Sequence, residues 1–136
     1  MIVETFVTGP LEENCYLVRS SQGEEAALID PGDDGEELLA ELTARGVRLT
    51  RILLTHAHFD HVGAVALLQQ ASGAQVLLHE GEKSILAGLP LQSALFGLSA
   101  PEPFQVSTWL KGGEKIAIGS LELQVRPDGG WGMHPD

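Results

Sequence analysis

Apolar and β-branched residues come in short runs at the start of the chain: Ile2 to Val7, Cys15-Tyr16-Leu17-Val18 and Ala26-Ala27-Leu28-Ile29. Gly9-Pro10, Gly23 and Asp30-Pro31-Gly32 punctuate them, so the pattern predicts an antiparallel strand meander. From Asp33 the period changes. Leu38, Leu39 and Leu42 recur at helical spacing, acidic residues occupy the first turn and Gly46 follows Arg45 as a stop, which predicts a helix of about three turns. Arg51-Ile52-Leu53-Leu54-Thr55 is a near-continuous apolar run, as a strand buried on both faces requires. A polar loop, His56 to His61, follows it directly. Val62 to Ala71 then predicts a second helix ended by Gly73, Ala74 to His79 another buried strand, and Gly81 to Ala87 a short helix.

Strand, helix, strand, helix, strand is the order of a sheet covered by helices, and ligand sites in such sheets lie beyond the carboxyl ends of the strands. The loop at His56 sits at such an end. Gly88 to Thr108 contains Pro90, Pro101 and Pro103 without a clean period, which predicts an irregular excursion over the surface and a candidate lid. Gly112-Gly113-Glu114 introduces Lys115 to Ile118, the link Gly119-Ser120 and Leu121 to Val125, a hairpin by its alternation. Arg126 to Asp136 carries Pro127, Gly129, Gly130, Gly132 and Pro135 and shows no period. The expected organisation is one domain over 1–125 and an irregular or disordered tail over 126–136, with no internal repeat.

Composition narrows the classes. A chain of 136 residues is one ordinary domain and buries roughly two-thirds of its unfolded surface. Its 43% hydrophobic and 20% charged residues are those of a soluble globular protein and not of a disordered one. No run approaches the roughly 18 to 20 apolar residues of a membrane span, and no basic segment precedes an apolar core at the amino terminus. Neither a membrane partner nor a secretory signal is expected. Eight Lys and Arg against 19 Asp and Glu give a net charge of -11, which repels phosphate backbones and argues against nucleic acid as a partner. The single Cys15 makes no internal disulfide, which fits a reducing, cytoplasmic location.

Thr55-His56-Ala57-His58-Phe59-Asp60-His61 gathers three of the five histidines and a carboxylate directly after a buried strand. In an extended segment residues two apart point the same way, so His56 and His58 present imidazoles to one ion, while Asp60 and His61 turn toward a neighbouring one as the helix begins. Imidazole nitrogen and carboxylate oxygen suit zinc, and the mixed set also suits iron or manganese. Two ions would lower the pKa of a bridging water toward about 7 and polarise the carbonyl or phosphoryl oxygen under attack. Asp60, the candidate catalytic residue, would hold the hydroxide and one metal together. The helix after His61 would aim its positive end at the site. A plain N-cap is the alternative role for Asp60.

The segment Thr55 to Gly63 resembles the metal-binding signature of the metallo-β-lactamase fold superfamily, and most of all its glyoxalase II-type thioester hydrolases. Asn14-Cys15-Tyr16-Leu17-Val18 and Leu28-Ile29-Asp30-Pro31-Gly32 are similar to the strands that precede the signature there. The resemblance runs from residue 2 to about residue 125 and is specific for fold and metal, not for substrate. It implies an α/β (α+β) fold, the four-layer αββα sandwich, of which this chain supplies mainly the N-terminal half. It implies His56 and His58 on the first metal, Asp60 and His61 on the second, and Asp30 beneath the loop, steadying it through hydrogen bonds. The implied activity is hydrolysis of a small-molecule thioester or ester by a metal-bound hydroxide, with two zinc ions, or iron or manganese, as cofactor.

The end of the chain departs from that pattern. The family places a third histidine for the first metal in a Thr-Pro-Gly-His type turn after the strand corresponding to Leu121-Val125, and an aspartate and a histidine further on. Here Val125 is followed by Arg126-Pro127-Asp128-Gly129-Gly130-Trp131-Gly132-Met133-His134. Four ligands do not close two catalytic zinc sites, each of which takes three protein ligands and a water. His134 is a candidate substitute, a tail end is its bland reading, and a shifted reading frame near residue 126 is a third. The expectation is a truncated hydrolase whose turnover is weak or absent, with an unpartnered hairpin exposing apolar surface for self-association. Its rivals are a non-catalytic metal-binding remnant and an iron-dependent persulfide dioxygenase of the same fold.

The remaining candidates have ordinary readings. His79 is expected to be a satisfied strand-end histidine, Cys15 a buried inert thiol, and Glu36, Glu37 and Glu41 the solvated face of a helix. Trp109, Phe96 and Phe104 are expected to pack in the core or under a lid, with a substrate groove as the alternative.

Overall fold

In the computed structural model, β1 (Ile2–Thr8), β2 (Glu13–Arg19) and β3 (Glu25–Ile29) form the expected meander, with Phe6 opposite Cys15 and Leu17 opposite Leu28. The structure describes residues 1–21, 23–57, 59–99, 101–126 and 131–134, with 59, 60 and 131–134 described by their backbone alone. Helix α1 (Gly35–Ala44) carries the chain to β4 (Arg48–Leu53), which runs parallel to β3. After α2 (Phe59–Val62) and α3 (Val65–Ser72), β5 (Gln75–His79) joins parallel to β4. A 3-10 turn (Glu80–Glu82), α4 (Lys83–Ala87) and α5 (Leu89–Leu95) lead to β6 (Thr108–Leu110), parallel to β5. The first sheet thus has the order β1-β2-β3-β4-β5-β6. A second sheet holds β7 (Lys115–Ile118), β8 (Leu121–Val125) and β9 (Trp131–His134), all antiparallel.

Alternation along the strands sends neighbouring residues to opposite faces of the first sheet. Leu17, Leu28, Ile52 and Leu78 meet Leu38 and Leu42 of α1 and Val65 and Leu68 of α3. Val18, Ala27, Leu53 and Leu77 meet Ile118, Leu121, Leu123 and Val125 of the second sheet. The described residues therefore build three layers, helix, sheet and sheet, of the expected αββα sandwich. Among them no helix is long and apolar enough to cross a membrane.

Four expectations are corrected. The helix over Val62 to Ala71 is two pieces, because Gly63 lies against the β3–α1 loop: a Cβ there would stand 2.0 Å from the Gly32 carbonyl oxygen. Ala64 donates its N–H to Pro31 O at 3.0 Å, and the helix restarts only at Val65. The excursion after Gly88 contains α5, whose Pro90 stands in the first turn, where a missing N–H breaks no helical bond. Within the stretch expected to be an irregular tail, Trp131–His134 pairs with β8, Val125 opposite Trp131. The apolar side of the 115–125 hairpin is buried against the first sheet: Ile118 and Leu123 are fully covered, so that side is no surface for self-association.

Candidate metal centre

Three loops meet beyond the carboxyl ends of β3, β4 and β5. Asp30 closes β3 with φ 55°, a left-handed conformation that Asp tolerates better than most residues. Its N–H donates to Leu53 O at 3.0 Å, which ties the end of β3 to the end of β4. The buried carboxylate then turns to the residue that follows β4. Asp30 Oδ1 accepts the Thr55 N–H at 2.8 Å, and Oδ2 accepts the Thr55 hydroxyl. Thr55 Oγ1 lies 3.0 Å from His56 Nδ1. Because the hydroxyl proton is directed at Asp30, the oxygen accepts from His56 Nδ1–H, and this assigns the lone pair of the ring to Nε2.

A second carboxylate holds the same loop from the other side. Glu82, in the 3-10 turn after β5, accepts the Ala57 N–H on Oε1 at 3.0 Å. The two amides that flank His56 are therefore drawn to Asp30 and Glu82. Glu82 was not singled out in the sequence; its only signal is a position three residues past the end of a buried strand.

His61, on α2, completes the described part of the site. Its Nδ1 is 3.3 Å from Asp30 Oδ2 and its Nε2 is 3.8 Å from Glu13 Oε2. The His56 and His61 rings lie 5.3 Å apart between centroids, tilted by 49°. Asp30 thus supports Thr55 and His61 together, and through Thr55 also His56. Its charge has a further effect: burial first, and Asp30 second, push the Cys15 thiol up to about 12. Cys15 is a buried free thiol.

Two converging imidazoles with carboxylates beside and beneath them are a donor set that fits a divalent metal. Among the described residues no group of three or more His, Cys, Asp or Glu is arranged to hold an ion. His58 and the side chains of Asp60 and His134 lie outside the described residues. Two details of the expected site change. Asp60 is the second residue of α2, so it is not an N-cap, and α2 is a single turn that provides no long dipole aimed at the loop.

The other candidates are structural. His79 Nδ1 accepts the Gly81 N–H at 3.0 Å and Nε2 lies 3.1 Å from Lys111 O. Phe104 and Trp109 pack against the helical side of the core, and Lys83 Nζ stands 5.1 Å from the Trp109 ring centre. Glu36 and Glu37 face solvent, whereas Glu41 pairs with Arg45. Phe96 alone of the three aromatics is exposed, on a cleft of about 580 Å³ between the β1–β2 turn and the segment after α5.

Comparison with known proteins agrees with this fold. The model of the Metallo-beta-lactamase superfamily matches residues 8–132. Hydroxyacylglutathione hydrolase GloC of Haemophilus influenzae is 31% identical over 127 residues, which cover 92% of this chain and 59% of that protein. A hydroxyacylglutathione hydrolase of Anaeromyxobacter dehalogenans is 36% identical over 112 residues, 82% of this chain and 36% of the relative. Among solved structures, TTHA1623 in a di-iron-bound form superposes with a TM-score of 0.78 at 38% identity, covering 97% of this chain and 66% of that one. BLEG-1 B3 metallo-beta-lactamase gives a TM-score of 0.82 at 28% identity, covering 98% and 67%. The chain spans less than two thirds of the length of either curated relative.

Proposed function

The chain belongs to the metallo-beta-lactamase superfamily, and on that footing we propose that it carries the metal-holding part of a hydrolase for small-molecule thioesters or esters. The observation that carries this reading is the convergence of His56 and His61 above Asp30. His56 and His58 would hold one ion, Asp60 and His61 a second. When bound, the ions supply an acidified water and a Lewis-acid contact for a carbonyl oxygen. The protein's own groups prepare that chemistry. Asp30 and Thr55 set the tautomer of His56, Asp30 lies against His61 Nδ1, and Glu82 holds the backbone between His56 and His58. Pre-set ligands of this kind cost no reorganisation when the reaction occurs.

Zinc is the proposed metal. The di-iron-bound form of TTHA1623, 38% identical, supports iron as an alternative, and manganese suits the donor set equally. The two relatives named hydroxyacylglutathione hydrolase support a thioester over other substrates. A cytoplasmic setting goes with this reading, since the single Cys15 makes no internal disulfide. A second reading, a non-catalytic metal-binding chain, is favoured by the sequence after Val125, which lacks the Thr-Pro-Gly-His type turn. Metal content per chain, measured with thioester hydrolysis on the same sample, decides between them. Two metals with turnover support the hydrolase; one metal or none without turnover supports the remnant. Oxygen uptake with bound iron would instead indicate a persulfide dioxygenase. The double substitution His56→Ala, His58→Ala is expected to abolish metal uptake, and unchanged stoichiometry would refute the ligand assignment.

A further inference from the structure

We infer that the cleft beside these histidines receives the acyl group of the substrate, and that this group is uncharged and apolar. The inference rests on the hydrolase reading and specifies its substrate class. The cleft measures about 580 Å³, within the usual range of small-molecule pockets of about 300 to 1,000 Å³. Pro10 and Leu11 form one wall, Phe96, Leu98 and Pro101 the other. Its lining also includes Glu13, which stands 3.8 Å from His61 Nε2, and Gly63, two residues beyond His61. A ligand in the cleft therefore lies next to the metal loop.

Leu11, Phe96 and Leu98 are 56%, 67% and 48% exposed, so one opening presents three large apolar side chains to water. Clustered exposure of this kind marks a binding surface more often than chance does. The charge around it points the same way. Glu13 and Asp33 are the charged residues of the lining, and none of the eight Lys and Arg contributes to it. Along this lining a carboxylate or phosphate would meet two like charges and no Lys or Arg, whereas a hydrocarbon chain would cover apolar surface that water now touches.

The test uses the intact chain and a neutral fluorescent probe, N-phenyl-1-naphthylamine, displaced by compounds that no thioesterase cleaves. These are the N-ethyl amides of acetic, butyric, hexanoic and octanoic acids, with N-ethylsuccinamate as the charged counterpart of the butyramide. Affinity is expected to tighten about threefold to fourfold per added methylene, and the succinamate to bind at least about tenfold more weakly than the butyramide. Phe96→Asp and Leu98→Asp, both at exposed positions, should each weaken octanamide binding about tenfold while leaving the melting curve unchanged. A flat chain-length series, tighter binding of the succinamate, no response to either substitution or no probe signal would each overturn the inference. The His56→Ala, His58→Ala chain separates the two readings. A chain-length series that persists there, beside a wild type that takes up no metal, refutes the hydrolase and leaves an apolar ligand site. Metal uptake with a flat series refutes the cleft alone.

Discussion

Glu82→Ala removes the carboxylate that holds the metal loop on the side away from Asp30. The bond it breaks, Ala57 N–H to Glu82 Oε1 at 3.0 Å, is a hydrogen bond to a charged acceptor, and such bonds contribute about 1.5–3 kcal/mol. Glu82 is half-buried, so water replaces part of the loss and the lower end applies, about 1.5 kcal/mol. For a domain of this size that lowers Tm by about 5 °C. The functional cost is separate and larger. Ala57 directly follows His56, one of the proposed ligands, and releasing its amide frees the backbone that carries that ring. Supports of metal ligands typically contribute about 10- to 100-fold in metal affinity. Chelator competition, run beside thermal melts, measures both effects. Glu82→Gln keeps an oxygen acceptor and is expected to recover most of each. An Ala variant that melts lower yet binds metal as tightly as wild type would refute the positioning argument. No change in Tm would refute the bond itself.

Gly63→Ala forces a Cβ to 2.0 Å from the Gly32 carbonyl oxygen, a backbone atom with no room to retreat. It should destabilise by about 3 kcal/mol or more, and a variant that melts like wild type would show that the loops approach less closely. Cys15, raised from 9.0 to about 12 chiefly by burial, should resist a disulfide-exchange reagent at pH 8 until denaturant is added. The same shift makes stability fall from pH 9 upward, because the unfolded chain loses a proton that the folded chain keeps until about pH 12. Denaturant midpoints across pH 8 to 10.5, compared with Cys15→Ser, check the sign. Hydrogen bonding from Arg45 holds the Glu4 carboxyl below its usual 4.5. Its contribution is therefore complete above pH 4.5 and lost as pH falls through the lower folded value, and Glu4→Gln should flatten the acid limb of a stability curve between pH 3 and 6.

Wherever a local period dominates, the structure follows the sequence pattern. Leu38, Leu39 and Leu42 mark a real helix, and the apolar run Ile52-Leu53-Leu54 coincides with the end of a central strand, β4, where Ile52 and Leu53 are buried on opposite faces. The candidate metal loop is also conspicuous in the sequence, as donor-rich residues packed into six positions after a buried strand. What fails to show is decided by partners distant in the chain. Gly63 interrupts a helix because of Gly32, 31 residues earlier, and no periodicity near Val62 records that. Trp131–His134 becomes a strand because β8 offers an open edge, although its own glycine suggests a turn.

The division within the site is the same. By itself the sequence offered His56, His58, Asp60 and His61 as the candidate ligands, and the family resemblance placed Asp30 beneath their loop. Only the tertiary structure decided that Glu82 grips Ala57, that Asp30 reaches Thr55 and His61 at once, and that an apolar cleft opens next to them. The physical reason is range. Residue type and spacing along one strand or helix act over a few positions, whereas the supports of a site and the walls of a pocket are assembled from loops that meet only when the parallel strands pack side by side.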